Sequence, residues 1–379
     1  MNERTIRILE FEKIIAKVQN FAGSAYGKEL AGNLRPSRDL VQIREAQQIT
    51  SEAVRLLTEN DRIPLGGIFD IREAIKRAAI GGVLAPRELL EVGSTIRASR
   101  LMKEFLLQQQ EKVAYLTDWG QRLGSYPALE RELEHCIGDN GEVLDGASAK
   151  LHTLRSQIKT VQNRVREKLD SMVRNSENAK YLQDLIVTMR NERYVIPVKQ
   201  EFRALFPGIV HDQSSSGATL FIEPMAVVEL NNQLAQIEAQ ETEEVNRILA
   251  ELSGKVQAIK ETLQVSVTIL ARLDLAFAKG RYSLEIGATE PELNHTGLVE
   301  LHNARHPLIP GKVVPISLVL GKDFDTLVIT GPNTGGKTVT LKTVGLLTLM
   351  AQSGLHIPAA SGSQIAVFQE VFCDIGDEQ

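Results

Sequence analysis

Cysteine is almost absent from this chain. Among 379 residues only Cys136 and Cys373 occur, far apart and without partners at metal-ligand spacing. That fits a reducing compartment, argues against structural zinc, and leaves both as expected packing residues. Also missing is any run of about 18 apolar residues that would span a membrane. The opening Met1-Asn-Glu-Arg-Thr5 lacks the basic-then-apolar order of a secretory signal, so a cytoplasmic location is expected. The net charge of −5 excludes a globally basic nucleic-acid coat but leaves local patches open. At this length the chain exceeds one ordinary core, and two or three domains are expected.

What is present first is helix. From Leu9 to about Asp145 apolar residues recur at three and four, as in Ile71, Ile75, Ala78 and Ala79, then Leu89, Leu90, Val92 and Ile96. Pro36, Pro64-Leu-Gly-Gly67, Gly81-Gly82 and Pro86 divide the run, and Gly138-Asp-Asn-Gly141 reads as a closing turn. Residues 1–145 thus read as a packed helical core with no nucleophile, paired carboxylate or metal cluster of its own.

Residues 146–280 read as a long arm. Leu151, Leu154, Ile158, Val161, Val165, Leu169 and Met172 keep near-heptad spacing. A second seam runs through Leu230, Leu234, Ile237, Val245, Ile248, Leu252, Val256, Ile259 and Leu263, which predicts an antiparallel coiled coil. Between the seams, Tyr194–Val198, Gly208–His211 and Ala218–Ile222 read as strands and Asp212–Gly217 as a turn, giving a small β tip. Ser214-Ser-Ser216 beside His211 and Asp212 is better taken as a polar turn than as a hydrolytic triad.

The two legs differ in charge. Ala147 to Arg203 holds twelve Lys or Arg against six Asp or Glu, whereas Glu223 to Glu261 holds eight acids against three bases. One reading is a basic leg and tip, including Arg190, Arg193, Lys199 and Arg203, that touches phosphate backbones without reading sequence. The other is that opposite charges fix the register of paired helices through flanking ion pairs.

Residues 281–379 change to an α/β pattern. Val299–His302, Leu318–Leu320, Ile365–Phe368 and Val371–Cys373 are strand-like, and Leu327–Thr330 suits a buried strand. That run leads into Gly331-Pro332-Asn333-Thr334-Gly335-Gly336-Lys337-Thr338, a G-x-x-x-x-G-K-T phosphate loop, followed by a helix from Val339 to Gln352 that Gly354 ends. Glycines let backbone N–H groups turn inward, Lys337 supplies charge to the β and γ phosphates, and the Thr338 hydroxyl suits Mg²⁺. ATP with Mg²⁺ is the expected ligand. Asp374, Asp377 and Glu378 invite a role in holding Mg²⁺, but no further strand follows them in the sequence, and no water-positioning residue is recognisable.

At this point the residues resemble the MutS family of ATPases, in its MutS-two branch without a mismatch-reading domain. The resemblance rests on Ala304-Arg-His-Pro-Leu308, GPNTGGKT followed by VTLKTVGLL, Met350-Ala-Gln-Ser-Gly-Leu-His-Ile-Pro-Ala359, and Val371 to Gln379. Leu9-Glu-Phe-Glu12 and Asp70-Ile-Arg-Glu-Ala-Ile-Lys76 also look like that branch, so essentially the whole chain is covered.

The resemblance implies a helical lever, an inserted clamp with a β tip, and the first part of an ABC-type ATPase, in an α plus α/β architecture. It implies a homodimer in which ATP on Gly331 to Thr338 is closed over by the partner. It implies action on branched DNA to suppress recombination, or on stalled or collided ribosomes and their rRNA to split the subunits. The chain is expected to stop before the signature segment, the acidic strand and the nuclease module, so it is expected to bind ATP but hydrolyse it poorly. The alternatives are a nucleotide-holding module without turnover and a mismatch-repair-type DNA clamp. For the latter, no Phe-x-Glu triplet stands near the amino terminus, and Phe368-Gln-Glu370 falls in the ATPase region and reads as accidental.

Overall fold

The computed structural model describes residues 2–311, 313–331 and 336–374. Its helices in chain order are α1 Glu3–Ile8, α2 Phe11–Phe21, α3 Ala25–Gly32, α4 Leu40–Glu59, α5 Arg72–Ala79, α6 Pro86–Gln108, α7 Ala114–Gln121, α8 Pro127–Cys136, α9 Ala149–Arg174, α10 Ser176–Ala179, α11 Met225–Ala258, α12 Lys260–Ile286 and α13 Lys337–Gln352. The strands are β1 Thr188–Arg190, β2 Arg193–Lys199, β3 Gly208–Gln213, β4 Thr219–Pro224, β5 Glu292–Asn294, β6 Val299–Ala304, β7 Ile316–Leu320 and β8 Gln364–Ala366. Two compact units result: Met1–Ala79 with Glu91–Glu130 and Gln257–Gln379, and Ile80–Leu90 with Arg131–Val256.

In the first unit α12 is the central helix. Its buried face, including Leu270, Leu273 and Phe277, meets Leu56 of α4 and Met102 and Leu106 of α6. Further along, Ala278 and Tyr282 join Phe11, Ile14 and Val18 of α2 and Leu346, Leu349 and Met350 of α13. Caps set the helix starts: Ser24 accepts from Gly27 N–H at 3.0 Å, and Asp39 from Val41 N–H at 2.9 Å. Gly287, at φ 57°, ends α12.

A four-stranded sheet ordered β5-β8-β6-β7 backs this core, with β5 and β8 parallel and the other pairs antiparallel. The expected strands at 299–302, 318–320 and 365–368 are present with shifted ends, and β5 was not expected. Residues Leu327–Thr330 and Val371–Cys373, expected as strands, carry no ladder. Apolar composition selects candidates, but only a hydrogen-bonded neighbour makes a strand. None of the described residues supplies one, and Val328 stays 77% exposed.

The second unit is built on α9 and α11. Ser148 donates to Glu244 at 2.9 Å and Arg155 to Glu241 at 2.9 Å, so residue numbers rise along one helix as they fall along the other. The pair is antiparallel. Leu151, Leu154, Val161, Val165 and Leu169 are buried as the spacing predicts, but at the end of α9 Val173 rather than Met172 fills the seam. The second seam is not one helix. Ile259, at φ −108° and ψ 8°, separates α11 from α12, although Leu263 beyond the break is buried as the pattern requires. Periodicity carried across the joint, so the sequence could not reveal it.

The tip is an antiparallel sheet ordered β1-β2-β4-β3 with a register shift between Val210 and Asp212. Strand β1 and a 3-10 turn at Gln200–Leu205 were not expected. β3 runs on to Gln213, two residues into the expected turn, which closes at Gly217 with φ 72°.

Candidate nucleotide-binding site

Gly331 and Gly336 bracket the phosphate-loop sequence with φ of 147° and 76°, conformations that favour glycine. Pro332, Asn333, Thr334 and Gly335 lie outside the described residues. Helix α13 begins at Lys337, and its N-cap, Gly336, has no side chain to cap the first N–H groups. No acidic residue stands in the first turn. The Lys337 ammonium donates to the Gly331 carbonyl at 2.6 Å, so the cation closes back on the loop's own entrance. Thr338 is exposed, and Thr340 Oγ1 donates to Gly336 O at 3.1 Å. Uncapped amides, a helix N-terminus, a lysine and a free hydroxyl fit a polyphosphate with its metal.

The other end of α13 is anchored by buried polar groups. Gln47 of α4 donates to Ala351 O at 2.8 Å and Leu355 O at 2.9 Å, and Thr50 to Gly354 O at 2.7 Å. From α12, Lys279 donates to Ser353 O at 2.9 Å, and burial pulls its ammonium down to about 8. On α13 itself, Gln352 reaches Ser37 O at 2.7 Å and Phe368 O at 3.0 Å. The carbonyls that a helix leaves unpaired at its C-terminus are met here chiefly by backbone N–H groups, Ser353 to Leu349 O, Leu355 to Met350 O, Gly354 to Ala351 O and Ser37 to Gln352 O, while the side chains extend this anchoring to the residues just beyond.

Near the middle of α13, Lys342 approaches Glu10 at 3.4 Å. His306, from the Ala304–Leu308 motif, is buried, accepts from Leu308 N–H at 3.3 Å, and is pushed below the usual imidazole range by burial. Of the candidate acidic residues, Asp374 lies 3.6 Å from Arg4; Asp377 and Glu378 lie outside the described residues. In the Phe368-Gln-Glu370 triplet, Glu370 pairs with Arg38 and Phe368 packs against the core. Cys136 is buried, which pushes its thiol up, and Cys373 packs against the first unit's core.

Sequence reasoning missed one cluster. His356 Nε2 is 2.9 Å from Ser51 Oγ and its Nδ1 is 2.8 Å from Ser283 Oγ, while Ser51 also donates to Glu290. Burial holds His356 at about 4. Its members come from α4, α12 and the two segments that follow α12 and α13, so no local motif announces them.

At the tip the four basic residues have internal partners. Arg190 pairs with Asp212 at 3.2 Å and lies 4.1 Å above the Phe221 ring. Arg193 meets Glu223 at 3.3 Å and Asn232 at 2.7 Å. Lys199 donates to Lys180 O at 3.3 Å, and Arg203 to Phe206 O at 3.1 Å and Gly208 O at 3.0 Å. His211 bonds Glu223 at 2.5 Å rather than any serine, while Ser214 caps Thr219 N–H at 3.1 Å, as a polar turn should. Across the legs, Lys150–Glu244 and Arg155–Glu241 are the flanking ion pairs that opposite charge predicted.

Comparison with known proteins places the chain. Residues 327–379 match the family model of MutS domain V. Over its full length the chain is 51% identical to Endonuclease MutS2 of Geobacillus sp. (strain WCH70), 52% identical to that of Geobacillus thermodenitrificans (strain NG80-2) and 50% identical to that of Halalkalibacterium halodurans. It belongs to the MutS family, in the MutS2 branch. In each of these relatives the match covers 49% of the other chain, so this sequence spans about half the length of the curated relatives it matches. Among the described residues no helix is long and apolar enough to cross a membrane.

Proposed function

We propose that this chain is the ATP-binding part of a MutS2-type remodelling protein that acts on DNA. The observation that carries it is the start of α13: positive-φ glycines at both ends of the loop, an uncapped helix N-terminus, and Lys337 closing on Gly331 at 2.6 Å. Gly331 to Thr338 would hold the triphosphate, with backbone N–H groups of the loop and first turn donating to its oxygens. Lys337 would exchange the Gly331 carbonyl for the β and γ phosphates, and the Thr338 hydroxyl would serve as a ligand of Mg²⁺. Bound ATP and Mg²⁺ would supply the free energy of hydrolysis that drives remodelling.

DNA is the partner we take, because the matched relatives are named endonucleases. Ribosomal RNA of stalled ribosomes is the alternative that the family resemblance allows, and homodimer formation belongs to the same reading. Arg190 and Lys199 keep partly exposed donors and remain candidates for backbone contact at the tip. A second reading, a module that holds nucleotide without turning it over, is favoured by Asp374 facing Arg4.

The experiment is titration with a fluorescent ATP analogue in Mg²⁺, with phosphate release measured in parallel. The chain should bind the nucleotide, Lys337→Ala should bind at least about tenfold more weakly, and release should be slow. Equal binding by both proteins would remove the site. Rapid Lys337-dependent release would decide against the second reading.

A further inference from the structure

Within the first unit, the loop joining α4 to α5 lies against α6, and the two border a cavity of about 610 Å³. Ser94 Oγ donates to Gly67 O at 3.0 Å, and Thr95 Oγ1 accepts from Phe69 N–H at 3.1 Å. These bonds fix the course of the loop. At Gly67, φ is 77° and a Cβ would stand 2.6 Å from Ser94 Oγ, so glycine is what lets the loop come this close.

The walls of the cavity divide by chemistry. Arg62 from the loop and Arg97 from α6 supply two guanidinium groups, and no carboxylate lines the space. Among the described residues the Arg62 side chain makes no hydrogen bond or ion pair. Arg97 acts on Glu130 at longer range, but that carboxylate is already held by Arg100 at 2.8 Å. Gly66 and Gly67 line the cavity too, and their backbone N–H groups bond nothing among the described residues. The rest of the wall is apolar, with Pro64, Leu101 and the Phe105 ring. Leu101 keeps 38% of its surface open beside Met102, which is fully buried.

A bare anion would use only the charged part of this wall, and an apolar molecule only the other. The volume is that of an ordinary small-molecule site, about 300–1,000 Å³. A phosphate monoester carries a charge of about −1.5 to −2 near neutral pH and three strong acceptor oxygens, which suit two guanidinium forks better than one carboxylate does. We propose that the cavity binds a small aromatic phosphate monoester, of which a nucleoside monophosphate is the common form, at a site separate from Gly331 to Thr338. Arg62 and Arg97 hold the phosphate, with the N–H groups of Gly66 and Gly67 as further donors. The ring lies against Leu101 and Phe105. Because the loop is pinned to α6 beforehand, binding orders little beyond the Arg62 side chain, which keeps its entropic cost low.

Calorimetric titration of the whole chain with AMP, GMP, adenosine and inorganic phosphate tests this in a Lys337→Ala background. Monophosphates lack the β and γ groups that the phosphate loop would hold, so this background reports on the cavity alone. AMP or GMP should bind, with adenosine and inorganic phosphate each at least about tenfold weaker. Arg62→Gln removes a charge-assisted contact and should weaken the monophosphate by about tenfold or more. Gly66→Asp should do the same by placing a carboxylate where an added Cβ meets nothing within 4 Å. Lys28→Gln, exposed on α3 outside the cavity, removes the same charge as Arg62→Gln and should change affinity by less than about twofold. Circular dichroism checks that each variant is folded. Absence of binding by both monophosphates, or folded Arg62→Gln and Gly66→Asp proteins that keep the parent affinity, would overturn the proposal. Inorganic phosphate binding as tightly as AMP would overturn the part given to the ring. The phosphate loop stands or falls on ATP binding with Lys337 intact, so the two results are read independently.

Discussion

The Lys279 ammonium lies 2.9 Å from the carbonyl oxygen of Ser353, so a buried cation sits at the C-terminal cap of the helix that Lys337 begins. The helix dipole favours a cation there, but burial opposes it, and burial wins: the group falls from 10.5 to about 8.

A stability signature follows from that shift. Between pH 8 and 10.5 the unfolded chain binds more protons at this residue than the folded one does. Stability contributed by this group therefore rises with pH through the window, by up to about 3 kcal/mol. Below it the charged, buried form is a constant cost. Urea unfolding at pH 7.5 and 9.5 should show Lys279→Met gaining on the wild type at the lower pH and losing that advantage at the higher. A difference between the two proteins that does not change with pH would refute the buried charge.

His356 gives a window of opposite position. Its ring, neutral between Ser51 and Ser283, is held at about 4 by burial with a smaller contribution from Lys279, against an ordinary value of 6.5. The stability it contributes is complete above pH 6.5 and lost as pH falls toward 4, amounting to about 2–3 kcal/mol at pH 4.5. His356→Gln should therefore flatten the acid limb of the stability curve measured by urea unfolding. A wild type and variant with parallel acid limbs would show that the imidazole is not buried.

Local signals made some of this legible in the sequence and left the rest out of reach. Leu154, Val161 and Val165 fall where heptad spacing puts them because one helix face decides their burial. The start of α13 at Lys337 was legible because the glycine-rich run before it punctuates the chain and the apolar pattern after it is helical. Leu327–Thr330 was misread because a strand needs a partner, which no local pattern supplies. The tip arginines were legible as charge but not as partners: Glu223 is thirty positions from Arg193 in the chain, and only the fold of β2 against β4 joins them.

Asp274 shows how tightly one such distant pairing is drawn. It is buried and accepts from Gly23 N–H at 3.0 Å, Ser24 N–H at 2.7 Å and Ser24 Oγ at 2.6 Å, fixing the start of α3 on α12. A Cβ on Gly27 would stand 2.2 Å from Asp274 Oδ2. Gly27→Ala should cost about 2–3 kcal/mol by crowding, and Asp274→Ala about 3 kcal/mol by leaving buried donors unpaired. Because truncating Asp274 removes the closest of the clashes and leaves Ser24 Oγ at 2.8 Å, the double variant should lose clearly less than the sum of the two single losses in thermal unfolding. Strict additivity of the two losses would show that the contact is absent.

Arg193 is the tip residue whose two readings separate most cleanly. Its partner Glu223 is 1% exposed and also receives Asn231 Nδ2 at 2.7 Å and His211 Nε2 at 2.5 Å. Removing the arginine leaves that buried carboxylate with less compensation, which costs about 3–5 kcal/mol where a buried pair is broken from one side. Because Arg193 retains only a quarter of its exposure, a lower figure of about 2–3 kcal/mol is expected here. Arg193→Ala should therefore unfold at lower temperature, and Glu223→Gln in the same chain should recover much of the loss. Below the melting transition, Arg193→Ala should bind duplex DNA within about twofold of the wild type. An Arg193→Ala protein that melts like the wild type yet loses DNA binding would reverse the assignment and make this arginine a direct phosphate contact.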